Sequence, residues 1–166
     1  MPSVELQKIL IITSCTGEKA VSHKKALTVD DLSQGRAHIK KRESELADVL
    51  LPAQEIYTGM QHKRLMRGVD AIGKNKDFKV DLWVLSAGYG LVRASKKLAP
   101  YEATFNDMKK HELAEWAQFL NVPDDIRKVI RKSYDLILVL LGDRYLRACE
   151  LDDEVVLGGP AVFFTG

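Results

Sequence analysis

The chain is poor in cysteine, with two among 166 residues, Cys15 and Cys149, far apart and outside any metal-ligand spacing. That scarcity argues against a disulfide framework and points to a reducing, cytosolic compartment. Long apolar runs are missing as well. Ile9 to Ile12, after the charged Lys8, is too short for the core of a signal peptide and far too short to span a bilayer. No membrane partner is expected. Charge of one sign is absent too. A formal net charge of +2 makes no strong demand for an oppositely charged partner. His23, His38, His62 and His111 lie in polar segments with nothing that marks a Cys–His hydrolase. No cluster of His, Cys and carboxylates has metal-ligand spacing. Neither a metal nor any other cofactor is expected.

What remains is an ordinary composition, long enough for one domain that buries roughly two-thirds of its surface. There is no repeat, low-complexity tract or linker. Lys8 to Ser14, Phe78 to Ser86 and Tyr134 to Leu141 read as buried strands. Val21 to Ser33 reads as a long loop or flap. Helices are expected from Gly35 to about Leu51, ending or kinking at Pro52, and from Glu55 to Ile72, with Gly59 able to interrupt the second. Asn106 reads as the cap of a helix carrying Leu113, Trp116, Ala117 and Leu120, and Pro123 starts another with Ile126, Val129 and Ile130 inward. A short helix follows over Gly142 to Leu151. Val155 to Leu157 and Ala161 to Phe164 are expected edge strands around Gly158-Gly159-Pro160. Strands alternating with helices predict a single three-layer α/β domain, residues 1–166, with a mostly parallel central sheet. The chain stops right after an apolar strand-like run, so either that strand is tucked in or the domain belongs to a longer protein.

The most informative stretch runs from Leu82 to Tyr101. A buried strand passes into Ser86-Ala87-Gly88-Tyr89-Gly90, and Lys96-Lys97 and Pro100-Tyr101 follow. Two glycines at the carboxyl end of a strand permit a tight turn whose N–H groups approach a ligand, at the sheet edge where α/β proteins bind ligands. The same residues also suit a compact turn with a packed tyrosine. The spacing fits neither the dinucleotide fingerprint nor the phosphate loop of nucleotide hydrolases.

Three segments together resemble a family of α/β domains of uncertain function related to the YaaA-like peroxide-stress proteins. They are Ile12-Thr13-Ser14-Cys15 with Lys19, then Ala53-Gln54-Glu55-Ile56-Tyr57 continuing to Gly68-Val69-Asp70-Ala71, and Leu85 to Leu91 continuing to Ala99-Pro100-Tyr101. Thr104 to Met108, then Leu141-Gly142-Asp143 with Tyr145, look closer to a smaller bacterial and phage subgroup. The resemblance covers about residues 8 to 150 and implies an α/β domain with a cleft and a link to nucleotide or nucleic-acid metabolism. This chain is shorter than the larger members, so their helix-hairpin-helix-like feature is not carried over.

In a parallel sheet the strand ends would gather Thr13, Ser14 and Cys15, then Ser86, Gly88, Tyr89 and Gly90, then Gly142, Asp143 and Arg144. With Lys19 they suit phosphate or sugar recognition. Tyr89, Pro100, Tyr101 and Phe105 supply rings or rigidity near a base, while Tyr101 and Phe105 also suit the core, Phe105 the better of the two. Asn106 can pair with a base edge, and Asp107 can activate water or stabilise a developing positive sugar, as cleavage of an N-glycosidic bond requires. Both also suit a helix cap. Cys15 is the candidate thiol nucleophile or an inert buried cysteine. The first reading is a nucleotide- or nucleic-acid-binding domain, with N-glycosidic hydrolysis or base exchange as its chemistry. Its rivals are a non-catalytic DNA-binding stress or defence protein using scattered basic helices, and a structural module. Oligomeric state is left open.

Overall fold

The computed structural model describes residues 5–15, 18–20 and 22–164. The elements in chain order are β1 (Gln7–Ser14), α1 (Val29–Ser33), α2 (Arg36–Glu45), β2 (Leu51–Pro52), α3 (Ala53–Ile56), α4 (Met60–Gly73), β3 (Phe78–Ser86), β4 (Gly90–Arg93), β5 (Lys97–Leu98), α5 (Lys110–Phe119), α6 (Val122–Ile130), β6 (Leu136–Leu140), α7 (Asp143–Ala148) and β7 (Ala161–Phe164). Single 3-10 turns cover Ala47–Val49 and Phe105–Asp107.

Five strands form the central sheet in the order β4-β3-β1-β6-β7, with β3, β1, β6 and β7 mutually parallel and β4 antiparallel at one edge. Alternation along β1 drives the layering. Ile9 and Ile11 face the apolar stripe of α4, formed by Leu65, Met66, Val69 and Ile72. Leu10 and Ile12 face the larger core, which takes in Leu113 and Ala117 of α5 and Ile126 and Ile130 of α6. The expected α/β fold with a mostly parallel sheet is what forms. From β1 the chain passes to β3 on one side and then to β6 on the other. The order therefore reverses between the carboxyl ends of β1 and β6, the place where such sheets bind ligands.

Three expectations are corrected and one is made specific. The segment after residue 21 is no free flap. Leu27 is fully buried and pairs between Pro100 and Glu102, and Thr28 caps α1 in a reciprocal capping box with Asp31. Val21 itself lies outside the described residues, as do Thr16 and Gly17. The helix expected over Glu55 to Ile72 is interrupted near its start, where Gly59 allowed it, because the backbone at Ile56 and Thr58 is drawn into pairing with Ala20 and Glu18 at 2.7 and 3.0 Å. Asn106 caps nothing. It lies within the 3-10 turn, and its own N–H is held by Thr104 Oγ1 at 3.2 Å. Val155 to Leu157 form no strand. Gly158 crosses the end of α6, donating to Ile130 O at 2.8 Å, and a Cβ there would lie 1.7 Å from Lys132 O.

Among the described residues no helix is long and apolar enough to cross a membrane.

Candidate active site at the carboxyl edge of the sheet

Ser14 ends β1 and Ser86 ends β3, and rings delivered by later segments pack above these strand ends. Four of those rings are tyrosines. Tyr101, 1% exposed, is the hub: it accepts a hydrogen bond from Ser86 Oγ at 2.7 Å and meets the Tyr57 hydroxyl at 2.6 Å. Cys15 Sγ lies 3.0 Å from Tyr145 Oη, which also meets Thr104 Oγ1 at 3.3 Å. Tyr89 Oη accepts the Ala99 N–H at 3.1 Å. Burial pushes the phenols of Tyr57, Tyr89, Tyr101 and Tyr145 well above the ordinary tyrosine range, since an anion there would be stripped of water. They act as neutral donors and acceptors.

Ser86 does not have a free hydroxyl. Its Oγ donates to Tyr101 and accepts the N–H groups of Gly88 and Tyr89 at 3.1 and 3.0 Å, which uses its one donor and both lone pairs. The turn that should have offered donors to a phosphate spends these two on its own serine. Gly88 is required for another reason: a Cβ there would fall 2.6 Å from Tyr101 Cδ2. Gly90 adopts φ +75°, and a Cβ on it would meet Leu120 O at 2.8 Å. Both glycines serve packing and the β3–β4 turn.

In front of Tyr101 opens a cavity of about 1060 Å³. Of the candidate residues, Lys19, Pro100, Tyr101 and Asp107 line it. Lys19 holds its ammonium 4.7 Å from the centre of the Tyr101 ring. One wall is aromatic: Trp116 and Phe119 stack with centroids 5.1 Å apart and planes 20° from parallel, and Trp116 is fixed by Nε1 donating to Ala87 O at 2.7 Å. The rim is acidic, with Glu102, Asp107, Glu112 and Glu115 against Lys19 and His23. Glu112 is partly engaged, accepting the Lys109 N–H at 2.7 Å. Among the described residues no group of three His, Cys, Asp or Glu is placed to hold a metal.

The other candidates lie elsewhere. Thr13 is buried in β1, on the α4 side by alternation, and Ser14 is half-buried at the strand end. Cys15 sits behind the tyrosines. Phe105 is wholly buried and packs edge-on to Tyr145 with centroids 5.0 Å apart, a core residue. Asn106 is exposed and outside the cavity lining. Gly142 is the exposed cap residue of α7, and Arg144 donates to Met108 O beside a second depression of about 800 Å³. The Gly142–Arg144 corner is therefore separate from the Tyr101 cavity.

Sequence reasoning missed the aromatic wall and the acidic rim. Trp116 fitted the buried stripe of an amphipathic helix, and Phe119 fell outside that stripe, with 53% of its surface exposed. An unburied phenylalanine one turn from a tryptophan was the available signal.

The profile of one protein family matches residues 40–156. The chain belongs to that family, described as a family of unknown function (DUF6884). The match takes in α4, the Ser86 turn, Tyr101, the aromatic wall and α7. A search of curated proteins finds no match.

Proposed function

We propose that this DUF6884 member binds a nucleoside, or the base and sugar of a nucleotide unit, in the Tyr101 cavity and acts on its N-glycosidic bond. The observation that carries the reading is the Trp116–Phe119 stack facing a rim that holds Asp107. A planar base finds a ring surface there, and a sugar turned toward the rim finds carboxylates. The charge balance favours the nucleoside part over a polyphosphate, because four carboxylates outnumber Lys19 and His23 around the opening. The saturated Ser86 turn points the same way. The resemblance of the strand-end motifs to YaaA-like proteins leads toward the same substrate class.

In this reading Asp107 stabilises positive charge as it develops on the sugar or takes a proton from water. Tyr101 and Thr104 present the floor, and Lys19 offers a donor from above it. The Tyr57–Tyr101–Ser86 chain keeps the floor rigid. The test is base release, followed by mass spectrometry on a panel of nucleosides and short oligonucleotides. Asp107→Asn should fold as the parent does and lose about 10²- to 10⁴-fold in rate. A parent that releases no base across the panel, or a variant with full activity, contradicts the proposal.

A further inference from the structure

The outward face of α4 carries more positive charge than its surroundings explain. From Met60 to its cap residue Lys74 the helix holds Lys63, Arg64, Arg67 and Lys74 against one carboxylate, Asp70, a net of +3 where the entire chain carries +2. All four cations are exposed. The other basic clusters are matched only in part: three of their cations are ion-paired, while pairs such as Lys40-Lys41 and Lys109-Lys110 make no ion pair among the described residues. Arg42 of α2 pairs with Asp31 and Glu45, Arg127 of α6 with Asp152, and Lys128 with Asp125. Among the described residues no ion pair engages the four cations of α4. Lys63, Arg67 and Lys74 recur at intervals of four and seven, so they share one stripe about 16 Å long, with Asp70 within it and Arg64 at its side.

We infer that this face of α4 docks the phosphodiester backbone of a nucleic acid. Four unpaired cations along about 16 Å match a partner with one strand phosphate per 3.4 Å of axis. An anionic membrane fits less well, because a helix lying on a bilayer turns its apolar face outward, whereas Leu65, Met66, Val69 and Ile72 are turned to the sheet. The inference deepens the cavity reading, on which it rests for a purpose: a nucleoside presented within a strand. Because α4 leads by a short connection into the amino end of β3, its first turn lies at the carboxyl edge, where the cavity opens.

The experiment is fluorescence anisotropy with labelled DNA and RNA, as duplexes and single strands, over a salt series. The parent should bind with a steep salt dependence. Lys63→Gln with Arg67→Gln should weaken binding about tenfold or more and flatten the log–log salt slope by about 2. Asp70→Asn should tighten it. Whichever nucleic acid binds best identifies the substrate arm. No salt-dependent binding by the parent would overturn the inference. So would loss through Lys40→Gln with Lys41→Gln on α2 in place of the α4 pair, or tighter binding to phosphatidylserine vesicles. Titration of free nucleosides into the α4 variants separates the two ideas, since cavity binding should be untouched by them.

Discussion

Ser86 decides how the carboxyl edge is built, because a single hydroxyl ties the β3 turn to the tyrosine that floors the cavity. Removing it in Ser86→Ala leaves the Gly88 and Tyr89 N–H groups and the Tyr101 hydroxyl short of a partner in a region closed to water. Buried donors left unpaired cost about 1–3 kcal/mol, so chemical denaturation should show a loss of that order. A loss below about 0.5 kcal/mol would mean that the network is replaced by water. Gly88→Val acts on the same spot by crowding, with its Cβ 2.6 Å from the Tyr101 ring. Overpacking of this kind costs about 1–3 kcal/mol or more, so its first effect should be on the melting temperature and not on ligand affinity alone. From the sequence, Ser86, Gly88 and Tyr101 could be recognised as one cluster. That the serine would be consumed internally could not, since this depends on where Tyr101 arrives from fifteen residues away.

The elements show where local patterns suffice and where long-range pairing takes over. β3 and β7 run where alternation and apolar content place them, over Phe78–Ser86 and Ala161–Phe164. The break in Glu55 to Ile72 was legible at Gly59, but its cause was not, because that is a pairing with Glu18 and Ala20, nearly forty residues earlier. The hairpin strand β4 was missed for a similar reason: Gly90 was read as part of a ligand loop, while its φ of +75° turns the chain back along β3. The segment from Ser22 to Ser33 looked featureless, yet α1 is anchored by its own cap. Asp31 accepts from His38 and from the Thr28 N–H, with Arg42 nearby, and these hold its carboxyl down at about 2 against an ordinary value near 3.8. A carboxylate lowered on folding stabilises above its unfolded pKa and loses that contribution as pH falls through the folded one. Asp31→Asn should therefore melt below the parent at pH 6, and the gap should close between about pH 4 and pH 2. A gap that persists unchanged at pH 2 would show that the charge of Asp31 is not what matters.

At the scale of the molecule, the cavity opens in front of the Tyr101 that Ser86 holds at the end of β3, and the segments after β1 and β5, together with α5, supply its rings and carboxylates. The mostly parallel sheet follows from strand and helix alternation that the sequence displays, whereas its strand order does not. The cavity wall does not, because Trp116 and Phe119 are brought opposite Pro100 and Tyr101 by the packing of α5. The central claim is that this wall stacks a base, and Trp116 reports on it directly. Trp83, the other tryptophan, lies under Arg93, 4.6 Å from its guanidinium carbon, and Trp83→Phe leaves Trp116 as the sole indole. Titrating nucleosides into that protein should quench its fluorescence saturably. Phe119→Ala should weaken the apparent affinity about 5- to 150-fold, the equivalent of a stacking contact of about 1–3 kcal/mol. Absence of saturable quenching with every nucleoside tested, or quenching indifferent to Phe119, would contradict the account.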